Sequence, residues 1–151
     1  MMKQIAVLAF TALSMTGALS ESVRLQAVSL DVAAVGGPVH VTVNYKGKGT
    51  VDARHRVWVW LFDTPDIGPG AMPIAEMSVE KNGSIADFQV DAGRVWIAVA
   101  YDESGTMSGN APPPSGSPVS IYMSSTGAPE PVTPGDKGAA TLTFDDSQRM
   151  P

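Results

Sequence analysis

Val57-Trp58-Val59-Trp60-Leu61-Phe62 is a run of β-branched and aromatic residues with no polar member. Side chains of this kind favour an extended, pleated backbone. Alternation along a strand puts Val57, Val59 and Leu61 on one face and Trp58, Trp60 and Phe62 on the other. A strand apolar on both faces is central in its sheet, or has its second face covered by a loop or a partner. Val95-Trp96-Ile97-Ala98-Val99-Ala100-Tyr101 has the same two-faced character.

Outward from these two runs, shorter apolar segments alternate with Gly, Pro, Asn and Asp. The pattern predicts strands at Ser22–Val32, Val39–Tyr45, Val57–Phe62, Ile74–Val79, Ser84–Val90, Arg94–Tyr101, Val119–Met123 and Ala139–Phe144. After Ser20 no stretch keeps helical spacing over more than two turns. Strands at this interval predict an all-β fold, an antiparallel seven- to eight-stranded β-sandwich with Greek-key connections. Asn82-Gly83 accepts positive φ at both central positions of a turn, which predicts a tight hairpin between Ile74–Val79 and Ser84–Val90. Asp91-Ala92-Gly93 marks the next turn. Two long Pro/Gly-rich loops follow, at 102–118 and 124–138, and the tail after Phe144 reads as frayed. Long ordered loops on a compact domain are often functional.

The first twenty residues carry an address. Lys3 is followed by an apolar run from Ile5 to Leu19, with Ala18 and Ser20 at the small-residue positions of a cleavage site. These features predict a secretory signal peptide at 1–20, cleaved after Ser20. The run is shorter than the roughly 20 residues of a membrane helix. The expected product is a single domain, 21–151, secreted or periplasmic, with no transmembrane span. There is no cysteine, which excludes disulfides, thiolate chemistry and a lipidated cysteine. Without Lys3, nine Lys and Arg stand against fifteen Asp and Glu, a net charge of −6. Such a surface repels phosphate backbones, so no nucleic-acid partner is expected.

The strand Val57–Phe62 with Asp63, the Asp91-Ala92-Gly93 turn, and the strand ending Ala100-Tyr101-Asp102-Glu103-Ser104-Gly105 occur in an order that resembles the prealbumin-like sandwiches. That group includes the transthyretin-like and carboxypeptidase-regulatory-like domains, and the chain looks most like its small bacterial secreted members. The resemblance spans Val39 to Phe144 and implies a prealbumin-like or Ig-like sandwich. It also brings two enzyme types to test. Intradiol dioxygenases hold iron with two Tyr and two His, two of the histidines close in sequence, whereas His40 and His55 here are fifteen residues apart. Transthyretin-like hydrolases end in Tyr-Arg-Gly-Ser, whereas this chain ends Ser147-Gln148-Arg149-Met150-Pro151.

If every connection reverses direction, strand parity gathers Lys46–Arg56, Glu80–Gly83, Asp102–Pro118 and the tail from Asp145 at one end. That end holds Asp102, Glu103, Asp145 and Asp146, oxygen ligands of the kind that calcium requires. The EF-hand run is missing, and Lys46, Lys48, Arg54 and Arg56 on the neighbouring loop offer the same carboxylates ordinary ion pairs. Neither histidine has zinc spacing, the mature methionines are scattered, and no Gly-x-Ser-x-Gly elbow occurs. The expectation is a non-catalytic binding or accessory module for a carbohydrate or protein ligand, with Trp58, Trp60, Phe62 and Tyr101 as its aromatic contacts. A calcium-binding domain using the acidic end is the alternative, with no other cofactor, and a metal-dependent enzyme on this scaffold is the remaining one.

Overall fold

The computed structural model describes residues 36–151. The signal peptide expected at 1–20 and the strand expected at Ser22–Val32 both lie outside the described residues. Seven strands follow: β1 (Gly37–Tyr45), β2 (Val57–Phe62), β3 (Ala75–Val79), β4 (Ile85–Val90), β5 (Trp96–Tyr101), β6 (Val119–Ile121) and β7 (Ala139–Phe144). Among the described residues no helix is long and apolar enough to cross a membrane. Val95 stands just outside β5, whose ladder with β2 ends at Phe62↔Trp96, and bridges instead to Val132, exchanging backbone hydrogen bonds at 2.9 and 2.8 Å.

The strands form two sheets, ordered β4-β1-β7 and β3-β2-β5-β6. Pairing is antiparallel except between β1 and β7, which run parallel from His40↔Ala139 to Tyr45↔Phe144. The exception follows from the same up-and-down alternation that organises the rest. The first and seventh strands run in one direction, so placing them side by side makes a parallel pair.

The expected hairpin at Asn82-Gly83 is not formed. β3 pairs with β2, and β4 pairs with β1, so the Glu80–Ser84 turn carries the chain from one sheet to the other. A turn does form here, with Gly83 at φ of 78°. Burial decides the partners. Ala86, Phe88 and Val90 of β4 are buried against the other sheet, which a flat β3–β4 ribbon would not achieve.

The core lies between the sheets. Val39, Val41, Val43 and Tyr45 of β1, with Ala140, Leu142 and Phe144 of β7, face Val57, Val59 and Leu61 of β2 and Ile97, Val99 and Tyr101 of β5. At ~25 cal/mol per Å² of apolar surface removed from water, this layer supplies the main driving force for folding. The tail is not frayed. Val119 N–H donates to Gln148 C=O at 3.0 Å, Gly116 N–H to Met150 C=O at 2.8 Å, and Met150 N–H to Ser117 C=O at 2.9 Å. The tail therefore covers part of the β6 edge, a row of backbone groups that would otherwise be unpaired.

Candidate functional site

The aromatic residues expected to form a contact surface do not share one. Trp58, Trp60 and Phe62 occupy the outer face of β2. Tyr101 alternates with Ile97 and Val99 on the inner face of β5 and is buried in the main core. Trp60 is 5% exposed and Phe62 is buried beside it. They form a second apolar cluster with Ala100, closed over by Ile67 and Ala71 from the loop after β2 and by Met107 from the loop after β5. The Trp60 indole N–H donates to the Gly109 carbonyl at 2.9 Å, tying that loop to the sheet. Trp58 is half-buried with Arg56 over its ring at 5.9 Å, and its indole nitrogen is buried without a partner. The outer face is thus a packing layer beneath loops, not an open aromatic platform: Trp60 and Phe62 are buried and Trp58 is partly so.

The acidic residues are brought to one end, as parity predicts, and there each meets a protein donor. Asp102 is 2% exposed. Its Oδ1 accepts from Gly105 N–H at 2.8 Å, Ser104 Oγ at 3.1 Å and Thr106 N–H at 3.2 Å. Its Oδ2 accepts from Met107 N–H at 2.9 Å. One carboxylate thereby folds the start of the 102–118 loop and places Met107 and Gly109 over Trp60. Glu103 takes both arms of Arg149 at 2.9 and 3.1 Å, and Asp145 accepts from Ser147 N–H at 2.9 Å. Asp146 accepts from the Tyr45 hydroxyl and from Lys48 N–H at 3.0 Å. Among the described residues no three His, Asp or Glu side chains are placed to hold a metal ion.

Below these groups Tyr45 and Tyr101 stack, one from each sheet, with ring centroids 4.2 Å apart. Their hydroxyls point into the loops, where Tyr101 donates to Thr50 C=O at 3.0 Å. Burial, and then the Asp146 carboxylate, push the Tyr45 phenol well above its ordinary value. Burial, followed by the charge of Asp52 and other nearby carboxylates, raises Tyr101 as well. The Tyr45 hydroxyl, and then Lys48 N–H, hold Asp146 below the usual carboxylate range. The chain crosses directly above both rings as Lys46-Gly47-Lys48-Gly49-Thr50. A Cβ at Gly47 would overlap the Tyr45 hydroxyl and Asp146, and one at Gly49 would overlap the Tyr101 ring.

Over this floor opens a concavity of about 530 Å³ lined by Lys48, Thr50, Asp52, His55, Tyr101 and Glu103. Asp52 shapes its far wall, accepting from Arg54 N–H at 2.9 Å and His55 N–H at 2.7 Å, with the His55 imidazole at 3.2 Å. Those backbone bonds, that of His55 first, lower the Asp52 pKa and keep it ionised. Carboxylate, imidazole, hydroxyl and ammonium groups here stand within one shallow polar bowl. Among the described residues, Lys46, Lys48 and Arg54 make no ion pair. A smaller concavity of about 400 Å³ lies between Tyr122, Val132, Pro134 and Lys137.

Lys48, Thr50, Asp52 and His55 were not singled out as binding residues by sequence reasoning. The available signal was the cationic composition of Lys46–Arg56 in a chain that is otherwise acidic. The role of Tyr45 is not legible in sequence, because nothing local marks a strand-end tyrosine as the partner of Asp146 and the support of the loop. Comparisons with protein-family models, curated proteins and solved structures find no match for the chain.

Proposed function

We propose that the protein is a secreted or periplasmic, non-catalytic binding module that takes an acidic carbohydrate in the bowl above the Tyr45–Tyr101 pair. The observation that carries this reading is the imbalance of commitments at that end. Asp52, Asp102, Glu103, Asp145 and Asp146 all accept hydrogen bonds from the protein, while Lys46, Lys48 and Arg54 are left to face solvent. A sugar hydroxyl both donates and accepts, and so matches Thr50, Asp52 and His55 on the wall. A uronate carboxylate adds the countercharge lacked by Lys48 on the wall and by Lys46 and Arg54 elsewhere on the same loop. The floor of the bowl is Tyr101 at the end of β5, and the Asp52 hydrogen bonds fix the loop that walls it, which limits the ordering entropy lost when a ligand docks.

The prealbumin-like relationship and the Greek-key description belong to the same proposal. Connections that cross between the sheets after β1, β3, β4 and β6 support them. The leader-like residues 1–20 support export.

Electrophoresis of the secreted protein through gels containing polygalacturonate or neutral dextran tests the proposal. Retardation by polygalacturonate, relieved by added salt and by Lys48→Ala with Arg54→Ala, is the expected result. Unchanged mobility in both gels overturns it.

A second reading, docking of a protein partner, is favoured by one observation. Met72 is 78% exposed, and Ile74, Met77 and Ile85 are also exposed on or beside the edge strands β3 and β4. Apolar side chains beside a free sheet edge suit strand addition by a partner. Chemical cross-linking that captures a partner through β3 would favour it over the bowl.

A further inference from the structure

The turn between β3 and β4 holds Asn82-Gly83, and the fold ties both residues to β1. Tyr45 N–H donates to Asn82 Oδ1 at 2.7 Å, and Asn82 Nδ2 donates to Tyr45 C=O at 2.7 Å. Gly83 N–H donates to Val43 C=O at 2.8 Å, and Val43 N–H donates to Ser84 C=O at 3.1 Å. The β1–β4 ladder, whose last register pair is Thr42↔Ile85, is thus prolonged to the end of β1. A side-chain amide stands in for its final peptide group.

Asn-Gly is also the dipeptide best suited to intramolecular attack by a backbone nitrogen on a side-chain amide, because glycine puts no Cβ in the way. The Gly83 nitrogen bonds to Asn82 Cγ, the Cγ–Nδ2 bond breaks, and ammonia leaves with the displaced proton. Water then opens the resulting succinimide at either carbonyl, leaving aspartate or isoaspartate. Asn82 is exposed, so water has access. What the native state withholds is the nucleophile, engaged with Val43, and the rotation of a carboxamide held at both ends by Tyr45.

We propose that Asn82-Gly83 is a deamidation site kept closed by the native fold, and that its conversion unlatches the end of β1. A carboxylate at position 82 loses the donor that satisfies Tyr45 C=O and sets acceptor against acceptor there. An isoaspartate also lengthens the backbone and shifts Gly83 away from Val43. Tyr45 carries the contact to Asp146, so the loosening reaches the floor of the bowl. This inference does not depend on which ligand the bowl takes.

The test incubates the full chain at mildly alkaline pH, with and without denaturant, and follows residue 82 by peptide mapping for aspartate and isoaspartate. Conversion in denaturant should exceed that of the native protein by on the order of a hundredfold or more, because cyclisation must wait for local opening. Asn110-Ala111, in an exposed part of the 102–118 loop, is the internal reference and should show far less dependence on folding. Equal rates at Asn82 in the two conditions, or no conversion even in denaturant, overturn the proposal. Asn82→Asp, compared with Asn82→Gln, then reads the consequence. A lower melting temperature in the aspartate variant, or its failure to fold, is expected, and melting equal to wild type refutes the unlatching.

Discussion

The two faces of β2 and β5 differ in what closes them, although both are apolar. The inner face carries Val57, Val59, Leu61, Ile97 and Val99, side chains of similar reach that meet a second sheet with the same regular spacing. The outer face carries Trp58, Trp60 and Phe62, and loops close over it. A sheet offers repeating contacts that compact aliphatic residues fill. A loop offers an irregular lid, which large rings with one anchoring hydrogen bond can meet. The inner layer therefore depends on the whole fold, while the outer layer depends on the Asp102 loop staying in place.

The sharpest break in that comparison is a charge in the inner layer. Leu61→Asp should cost more than about 5 kcal/mol and leave no cooperative unfolding transition, since its carboxylate has no partner between the sheets. Circular dichroism on heating checks this. Trp60→Ala in the outer layer should cost about 3–5 kcal/mol, the range for a buried aromatic truncated to a cavity. Trp60→Phe keeps much of the packing and loses the bond to Gly109, and should cost about 1–2 kcal/mol. Urea unfolding of the two variants separates ring packing from the loop anchor. A Trp60→Ala protein as stable as wild type would mean that the lid contributes nothing.

The loop end loses stability at both extremes of pH. The depressed Asp146 favours the folded state above the ordinary carboxylate pKa of about 3.9, and that stability is lost as pH falls through its lower native value. Tyr45 is raised, so its contribution is full below about 10 and is lost as pH rises through its native value. Melting temperature against pH should show both limbs, and Tyr45→Phe should flatten both. Superimposable curves would show that the Tyr45–Asp146 bond does not form.

Smaller effects are expected at the surface. Lys48→Ala and Arg54→Ala should change stability by no more than about 0.5 kcal/mol each, whatever they do to binding. Calcium should leave the melting temperature unchanged, because Asp102, Glu103, Asp145 and Asp146 already have protein partners; a rise reversed by chelator would revive the calcium reading.

Local residue pattern made the strands legible. Runs such as Val39–Tyr45 and Ala139–Phe144 have only one way to bury alternate side chains, so their positions could be read one at a time. Parity of chain direction likewise placed the acidic residues and the Lys46–Arg56 loop at one end. Partners could not be read this way. The Asn82-Gly83 turn has the same chemistry whether it closes a hairpin or bridges two sheets, and burial of Phe88 and Val90 chose the second. Tyr101 lies next to Asp102 in sequence, but its strand points it away from the tryptophans. Asp102 reads as a free ligand in sequence, and only the folded loop brings four donors to it. By itself the sequence determined the β character of the described residues, the places of their seven strands and the polarity of each end, because those depend on neighbouring residues. Which sheet each strand joins and which ring is covered were decided by tertiary structure, because each depends on groups far apart in the chain competing for the same surface.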